Sequence, residues 1–334
     1  MSLSSLDAAI AGDDRAFREV VSPHLRELHL HCYRMLGSIP DAEDTLQEVL
    51  IVAWRGMAGF AGHSSVRTWL YRIATNRCLN AIRDGKRRPR AEPIPPFDPP
   101  EPSRRNETGW LGPYPDSWLD ELEAETGPAA RYQRREAIEL AFIAALQQLP
   151  PRQTASLLLC DVLGYSTAEA ATMLGASATA TKGTLQRARA TLDRLRPTRG
   201  GQPTASVGSP AERALTRRFA EALTTDDIEG VLALLTDDAW LAMPPAPHEY
   251  HGAVAIAAFL RASTSWKGSR TIRLLATRAN NQPAFGSYLT APSSPAAHPT
   301  GLIVLTIFED RISGMTRFLD DQLPSIFGLP GTLG

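Results

Sequence analysis

Two proline-rich segments set the strongest limit on how this chain of 334 residues can fold. The first contains nine prolines between Pro93 and Pro128, and the second, RPTRGGQPTASVGSP, covers residues 196–210. Proline lacks a backbone N–H and fixes φ, so neither segment can form a long helix or a central strand. We therefore expect several modules joined by two linkers, which the length of the chain also favours.

The parts of the chain outside these segments differ in their hydrophobic pattern. Residues 6–83 and 131–195 place apolar residues at helical spacing. Residues 211–263 continue with helical patterns, and β-rich runs such as TIRLLATRA and GLIVLTIFE follow them. Helices followed by a series of strands are typical of α+β folds. The expected fold class is multidomain, with two all-α modules and a C-terminal α+β domain.

The net charge of −1 would disfavour a nucleic-acid partner if the charges were evenly spread, but they are segregated. Residues 67–90 hold eight Arg or Lys against one Asp, and residues 182–199 hold six against one Asp. Residues 91–130 hold nine Asp or Glu against two Arg. A chain that is nearly neutral overall can therefore present basic faces to a polyanion.

Cysteine usage and hydropathy exclude several classes of protein. Cys32, Cys78 and Cys160 lie far apart and form no CxxC pair, which disfavours a zinc site and a thiol-redox centre; no metal and no cofactor are expected. No apolar run approaches the ~20 residues of a membrane span, and the N-terminus has no leader pattern. These features predict a cytoplasmic protein without a membrane partner.

The stretch LGYSTAEAATMLGASATATKGTLQRARATL, residues 163–192, predicts two short helices. Ser166 and Ser177 are expected to cap them, and Gly175 allows the bend between them. In the second helix, helical spacing puts apolar residues on one side and polar or cationic residues on the other. This pattern predicts a helix-turn-helix whose second helix enters a DNA major groove, although simple helix packing gives the same pattern. The apolar side holds Thr181, Leu185, Ala188, Leu192 and Leu195; the other side holds Thr179, Gly183, Gln186, Arg187 and Arg194, with Lys182 on its flank.

Three segments together resemble the extracytoplasmic-function sigma factors of bacterial RNA polymerase. DAEDTLQEVLIVAW (41–54) resembles region 2.2, VRTWLYRIATNRCLNAIR (66–83) resembles regions 2.3 and 2.4, and the segment 146–192 resembles region 4. The resemblance implies a protein that binds core RNA polymerase, recognises the −10 and −35 promoter elements and melts DNA, without enzymatic activity. The implied domains are sigma region 2 over 1–90, an acidic proline-rich linker over 91–130, sigma region 4 over 131–196, a flexible linker over 197–208 and a C-terminal domain over 209–334.

The resemblance also implies a role for an acidic helix face in the first module. Region 2.2 docks on the clamp coiled coil of the largest polymerase subunit, and region 4 binds the flap of the second subunit. A solvated acidic face is the alternative interpretation. The residues expected to bind polymerase are Asp41, Asp44, Gln47, Glu48 and Trp54.

Two sets of residues are expected to contact promoter DNA. Cations hold phosphate, aromatic rings stack on exposed bases, and amides read base edges. The basic helix mixes all three, which suits a melted −10 strand, although core packing is the alternative for Trp69. Thr184 stands where a typical member has Arg, so the −35 sequence stays open. The −10 set is Phe60, His63, Ser64, Arg67, Trp69, Arg72, Asn76, Asn80 and Arg83; the −35 set is Ser177, Thr179, Lys182, Thr184, Gln186 and Arg187.

The C-terminal domain resembles the SnoaL-like polyketide cyclases of the nuclear-transport-factor-2-like superfamily, which are cone-shaped α+β folds with a pocket. The resemblance implies control of the sigma modules in cis, with a small-molecule effector in the pocket left open. One alternative is a cyclase, isomerase or ligand-sensing domain fused to a DNA-binding arm; another is a repressor that uses only the helix-turn-helix. Residues of the acid–base type that such cyclases use are His248, His251, His298, Asp320 and Asp321, but none is assigned a catalytic role.

Overall fold

The structure is a computed structural model that describes residues 3–85, 95–105, 111–123, 138–195, 207–291 and 294–334. The chain forms two compact units. The first unit contains residues 1–88 and 121–197, and the second contains residues 89–120 and 198–334. Each unit is described by itself below.

The first unit is all-helical in its described residues. Its N-terminal half contains α1 (Leu3–Ile10), α2 (Asp14–Val21), a 3₁₀ turn (Ser22–His24), α3 (Leu25–Leu36), α4 (Ile39–Gly56), a second 3₁₀ turn (Met57–Gly59) and α5 (Val66–Arg83). Ser38 caps α4 and Ser65 caps α5, because each side chain accepts a hydrogen bond from a backbone N–H of the first turn. Helices α3, α4 and α5 pack around a core that is centred on Leu28, Val49 and Leu70.

The C-terminal half of the first unit follows the sequence prediction closely. It contains α7 (Leu140–Gln147), α8 (Pro151–Leu157), a π-helical turn (Leu158–Val162), α9 (Thr167–Leu174) and α10 (Ala178–Leu195), while α6 (Asp116–Glu123) precedes it in the chain. Ser166 forms a capping box with Glu169. Gly175 ends α9 with a φ of 60°, and Ser177 accepts from the N–H of Ala180. The predicted helix-turn-helix caps and bend are confirmed.

The second unit places three helices beside a mixed sheet. The helices are α11 (Pro210–Thr224), α12 (Ile228–Ala233) and α13 (Gly252–Lys267), and a short α14 (Leu323–Ile326) follows the sheet. The seven strands are β1 (Arg104–Arg105), β2 (Leu235–Met243), β3 (Ala246–His251), β4 (Ile272–Ala279), β5 (Gln282–Ala291), β6 (Ser294–Phe308) and β7 (Arg311–Phe318). Their order in the sheet is β1-β3-β2-β7-β6-β5-β4.

Most neighbouring strands of this sheet are antiparallel, and only β2 and β7 run parallel. Register shifts in β2, β5 and β6 bend the sheet. The core lies between the sheet and the helices, where Phe219, Tyr250, Phe259 and Met315 are buried. The predicted α+β class of the C-terminal domain is confirmed.

Two stretches that the sequence assigns to the acidic linker belong to the second unit. Arg104 and Arg105 add the edge strand β1 to β3. Phe97 contacts Phe259 with the two rings tilted, at 5.6 Å between ring centroids, and Tyr114 is completely buried. These stretches are therefore integral to the C-terminal fold rather than a free tether, while residues 91–94, 106–110 and 124–130 of the same linker lie outside the described residues.

Candidate nucleic-acid and polymerase interface

One exposed stripe along α4 combines acidic and apolar side chains. Asp44 and Gln47 are exposed, and the same helical stripe continues to Ile51 and Trp54. Ile51 is 50% exposed and Trp54 is 38% exposed, the only large apolar side chains of the first unit that the described residues leave exposed. Asp41 and Glu48, the other predicted members, are only partly exposed.

Ile51 is a surface residue that the sequence reasoning missed. A signal for it was present, because the steps from residue 44 to 47, 51 and 54 keep all four positions on one face of a helix. The ring of Trp54 packs edge-on against Phe17 at 5.1 Å, which fixes its orientation. Adjacent exposed apolar groups with acidic neighbours are a feature of protein-binding surfaces.

The loop before α5 presents polar side chains above an aromatic pair. His63 and Ser64 are exposed. Phe60 and Trp69 contact each other at 5.3 Å between ring centroids, and both are partly exposed. The predicted −10 residues of the loop therefore share one surface with the start of α5, whereas Tyr71, the other aromatic residue near the start of α5, is buried in the core.

Arg67 lies at the centre of an ionic network. Its guanidinium contacts both carboxylate oxygens of Glu27, at 2.8 to 3.0 Å. It also lies within 3.4 Å of the Tyr165 hydroxyl from the region that resembles sigma region 4. Burial acts to raise the pKa of Glu27, but hydrogen bonds from His24 and Arg67 outweigh it and hold that pKa below its usual value. In this structure Arg67 is thus engaged with protein groups.

Asn76, the amide expected to read a −10 base, is also engaged within the first unit. Its Nδ2 donates to the carbonyl oxygen of Arg72 at 2.8 Å and to that of Met173, in α9, at 3.1 Å. An amide nitrogen has only two hydrogens to donate, so both are used. Helix α5 therefore meets the first helix of the helix-turn-helix through a residue that the sequence predicts to contact DNA. Of the remaining −10 residues, Arg72 and Arg83 are exposed and Asn80 is partly exposed.

Helix α10 divides into a buried and an exposed side as the sequence predicts. Thr181, Leu185, Ala188 and Leu192 are buried. The candidate −35 residues are exposed, apart from Thr184, which is partly exposed. The exposed candidates are Ser177, Thr179, Lys182, Gln186 and Arg187.

Of two cations on the exposed side of α10, Arg187 is hydrogen-bonded within the helix and Lys182 is not. Arg187 Nη2 donates to the Thr184 hydroxyl at 3.3 Å, and that hydroxyl donates to the Ala180 carbonyl at 2.9 Å. Thr184 therefore orients Arg187 along the helix. Lys182 makes no ion pair or hydrogen bond to any group in the described part of the chain, which leaves its ammonium group available to phosphate.

A pocket in the second unit does not gather the residues that the cyclase alternative would need. Phe219, Leu260 and Met315 line it, together with the polar Lys267 and Arg317. His248, His251, His298, Asp320 and Asp321 are absent from its lining. Where the chain is described, no cluster of metal-ligating side chains is found. The described helices also include none that is long and apolar enough to cross a bilayer.

Family models match both halves of the first unit. The Sigma-70 region 2 model matches residues 20–88, and the Sigma-70, region 4 model matches residues 139–192. The ECF RNA polymerase sigma factor SigG of Mycobacterium tuberculosis is 42% identical over 325 residues, which cover 96% of this chain and 85% of that protein. SigM of the same organism is 32% identical over 190 residues, which cover 57% of this chain and 82% of that protein.

A solved structure extends the similarity to the fold. The crystal structure of the extracytoplasmic-function sigma factor SigJ of Mycobacterium tuberculosis matches with a TM-score of 0.58 at 19% identity, and covers 90% of this chain and 96% of that one. At this identity the match shows a shared fold. The identity to SigG extends over both sigma modules and most of the C-terminal unit. The chain therefore belongs to the extracytoplasmic-function (ECF) RNA polymerase sigma factors.

Proposed function

We propose that this sigma factor docks on core RNA polymerase through the α4 stripe, holds the melted −10 strand with α5 and its preceding loop, and binds the −35 duplex with α10. The observation that carries the proposal is the α4 stripe, because exposed Ile51 and Trp54 stand among acidic residues. Solvation explains exposed acids but not exposed large apolar groups beside them. The family resemblance supplies the partners, which are the clamp coiled coil of the largest subunit for α4 and the flap of the second subunit for the helix-turn-helix module.

Replacing Ile51 with Glu should weaken binding to core polymerase at least tenfold. The change removes apolar area from the centre of the stripe and leaves a carboxylate to be desolvated on docking. Val254→Glu is the matched control, because Val254 is also on a helix and is 87% exposed, but in the second unit. Fluorescence anisotropy of labelled full-length protein against core polymerase measures both. Equal losses in the two variants, or no loss in Ile51→Glu, would contradict docking through α4.

The proposed −10 surface must change partners before it can hold DNA. Both donors of Asn76 and the guanidinium of Arg67 are engaged inside the first unit. Flipping a base out of the duplex costs a few kcal/mol, which protein contacts must offset. The Asn76 contact to Met173 therefore has to break as the two sigma modules take up their separate promoter elements. A free protein in this form is expected to bind promoter DNA weakly without polymerase.

The proposed −35 surface is small and polar. Thr179, Gln186 and Arg187 face away from the core of the helix-turn-helix, and a major groove admits one such helix. With Thr184 orienting Arg187, few long side chains remain to read base edges. Backbone contacts and DNA shape are then expected to contribute much of the selectivity.

Lys182→Ala should weaken binding of the holoenzyme to promoter DNA and reduce its salt dependence. Each phosphate contact contributes about −0.9 to the slope of log K against log salt concentration, so the slope should become shallower by about one unit. Arg15→Ala removes the same charge from α2, where Arg15 forms an exposed pair with Glu19, and should leave the slope unchanged. Filter binding over a salt series tests this, and an unchanged slope in Lys182→Ala would rule out the phosphate contact.

The C-terminal domain is proposed to control the sigma modules by holding the linker that joins sigma region 2 to sigma region 4. That chain is anchored to the second unit at Phe97, at Pro100, whose carbonyl accepts from the Tyr250 hydroxyl at 2.8 Å, and at Tyr114. The family resemblance has this linker thread toward the RNA exit path of polymerase. A linker that stays on the C-terminal domain cannot follow that path, so docking on the domain and assembly with polymerase compete.

A further inference from the structure

The pocket of the second unit contains an unpaired cation. Arg317 lies on β7, two residues after Met315, and both side chains line the pocket on the inner face of the sheet. Residue Arg317 pairs with Ile303 on β6, and Met315 pairs with Leu241 on β2. Within the described residues, no carboxylate forms an ion pair with the guanidinium of Arg317, which lies 5.8 Å from the centre of the Phe259 ring.

The acidic residues at the rim of the pocket already have partners. Asp226 accepts from the Lys267 ammonium group at 2.8 Å. Asp227 caps α12 by accepting from the Gly230 N–H at 2.8 Å. Both carboxylates therefore have partners of their own, whereas Arg317 forms no ion pair within the described residues.

The surroundings of Arg317 make an unpaired charge costly. Burial lowers the pKa of Arg317 to about 10, yet a group with that pKa is still protonated at neutral pH. The Arg317 side chain is only partly exposed, and a cation partly withdrawn from water is stabilised by an anionic partner. Charged side chains seldom line the inner face of a sheet without a partner. A ligand anion would supply the missing partner.

The other lining residues of the pocket indicate what kind of ligand body would accompany an anionic group. Its walls include Phe219, Leu223, Val231, Leu241, Leu260 and Met315, and the pocket is open to solvent on one side. Such a site favours an apolar body with one charged end. Ser263 and Thr264 at the mouth add hydroxyl groups near solvent.

We propose that this pocket binds a small amphipathic carboxylate, with the carboxylate on the Arg317 guanidinium and the apolar body against Leu241, Leu260 and Met315. Guanidinium and carboxylate match in planar, two-pronged geometry, which makes this pair stronger than neutral hydrogen bonds. The site is separate from the polymerase and DNA surfaces of the first unit, and its occupancy does not depend on their assignment.

Calorimetric titration of the full-length protein with octanoate and with its neutral analogue octanamide tests the proposal. Octanoate should bind at least tenfold more tightly than octanamide, since charged hydrogen bonds are each worth roughly a factor of ten or more. Arg317→Met should abolish this preference, and Arg317→Lys should retain part of it. Arg218→Met is the matched control, because Arg218 is exposed on α11, and should bind as the wild type does.

A second variant tests whether the probes bind in this pocket, and a comparison in the unmodified protein does not depend on the folding of any variant. Ser263→Trp places a bulky ring at the mouth and should prevent binding of both probes without altering the core. The preference for octanoate over octanamide in the unmodified protein is itself independent of any variant. Absence of octanoate binding, equal binding of the two probes, or an unchanged preference in Arg317→Met would each overturn the proposal, as would unchanged octanoate binding in Ser263→Trp.

Discussion

Tyr114→Ala is expected to release the linker from the C-terminal domain and to raise transcription from a cognate promoter. Tyr114 is 0% exposed. Its N–H donates to Asn280 Oδ1 at 2.7 Å, and its carbonyl accepts from the Asn280 N–H at 2.9 Å. Truncating a buried aromatic side chain to Ala costs about 3–5 kcal/mol, which is a large part of the stability of an ordinary domain.

The loss should be concentrated in the docked stretch, although a second, polar anchor two residues further on stays in place. Asp116 accepts from the Arg278 guanidinium at 3.1 Å and from the Asn281 N–H at 2.8 Å, and Arg278 also pairs with Glu212 at 2.6 Å. When Tyr114 no longer fills its site, residues 111–118 can open without unfolding the sheet. We therefore expect local loss of hydrogen-exchange protection before global unfolding.

Hydrogen exchange and run-off transcription at limiting sigma concentration measure the two effects. Ser117→Ala, an exposed change in the same turn, should behave as the wild type. Removal of the C-terminal domain at about residue 205 should alter transcription in the same direction as Tyr114→Ala. Wild-type transcription by a Tyr114→Ala protein whose linker has lost protection would show that linker docking has no control function.

The helix-turn-helix could be predicted from the sequence because its determinants are local. Ser166, Gly175 and Ser177 act on the backbone within three residues of their own positions, and the buried side of α10 follows from 3.6-residue spacing. The predicted family follows from the same segments. Region 2 was equally accessible, since Leu70 and Val49 sit on regular apolar stripes.

The long-range side-chain contacts within the first unit could not be predicted in this way. Asn76 and Met173 are 97 positions apart, and Arg67 and Glu27 are 40 apart. No local pattern encodes such pairs, and each residue alone suits a DNA-binding surface. The docking of Tyr114 on Asn280 is of the same kind, since the two residues are 166 positions apart.

Strand β3 and the inward position of Arg317 could not be predicted from the sequence, each for a physical reason. β3 reads APHEYH, which lacks the run of β-branched residues typical of strands, and it is specified instead by its pairing with β2 and β1. Arg317 was passed over because both faces of RISGMTRF mix apolar and polar residues. Alternation then fails to identify the inner face.

Acidification is expected to destabilise the first unit before ordinary carboxylates are protonated. His31 is 1% exposed, and its Nε2 lies 2.9 Å from the Thr75 hydroxyl, which itself donates to the Tyr71 carbonyl at 2.8 Å. The Thr75 oxygen must therefore accept from a His31 Nε2–H. Burial, followed by repulsion from Arg34, lowers the pKa of His31 to about 3.

The sign of the pH effect follows from proton uptake. An unfolded histidine titrates near pH 6.5, whereas folded His31 stays neutral down to about pH 3, so between these values the unfolded state binds the extra proton. Stability is then fully present above pH 6.5 and falls by about 1.4 kcal/mol for each pH unit below it, up to ~5 kcal/mol at pH 3. His29, whose burial lowers its pKa to about 4, adds a similar slope over a narrower range.

Hydrogen exchange of α3 peptides between pH 7.5 and pH 4.5, corrected for intrinsic rates, isolates this unit from the C-terminal domain. His31→Gln keeps an N–H donor for Thr75 but cannot be protonated, so its stability should depend on pH less steeply by about one proton. His63→Gln changes an exposed loop histidine and should leave the dependence as it is. A His31→Gln protein with the wild-type pH slope would mean that His31 does not determine the loss of stability in acid. Other groups, such as the Glu27 carboxylate below pH 4.5, would then have to limit the stability of the first unit.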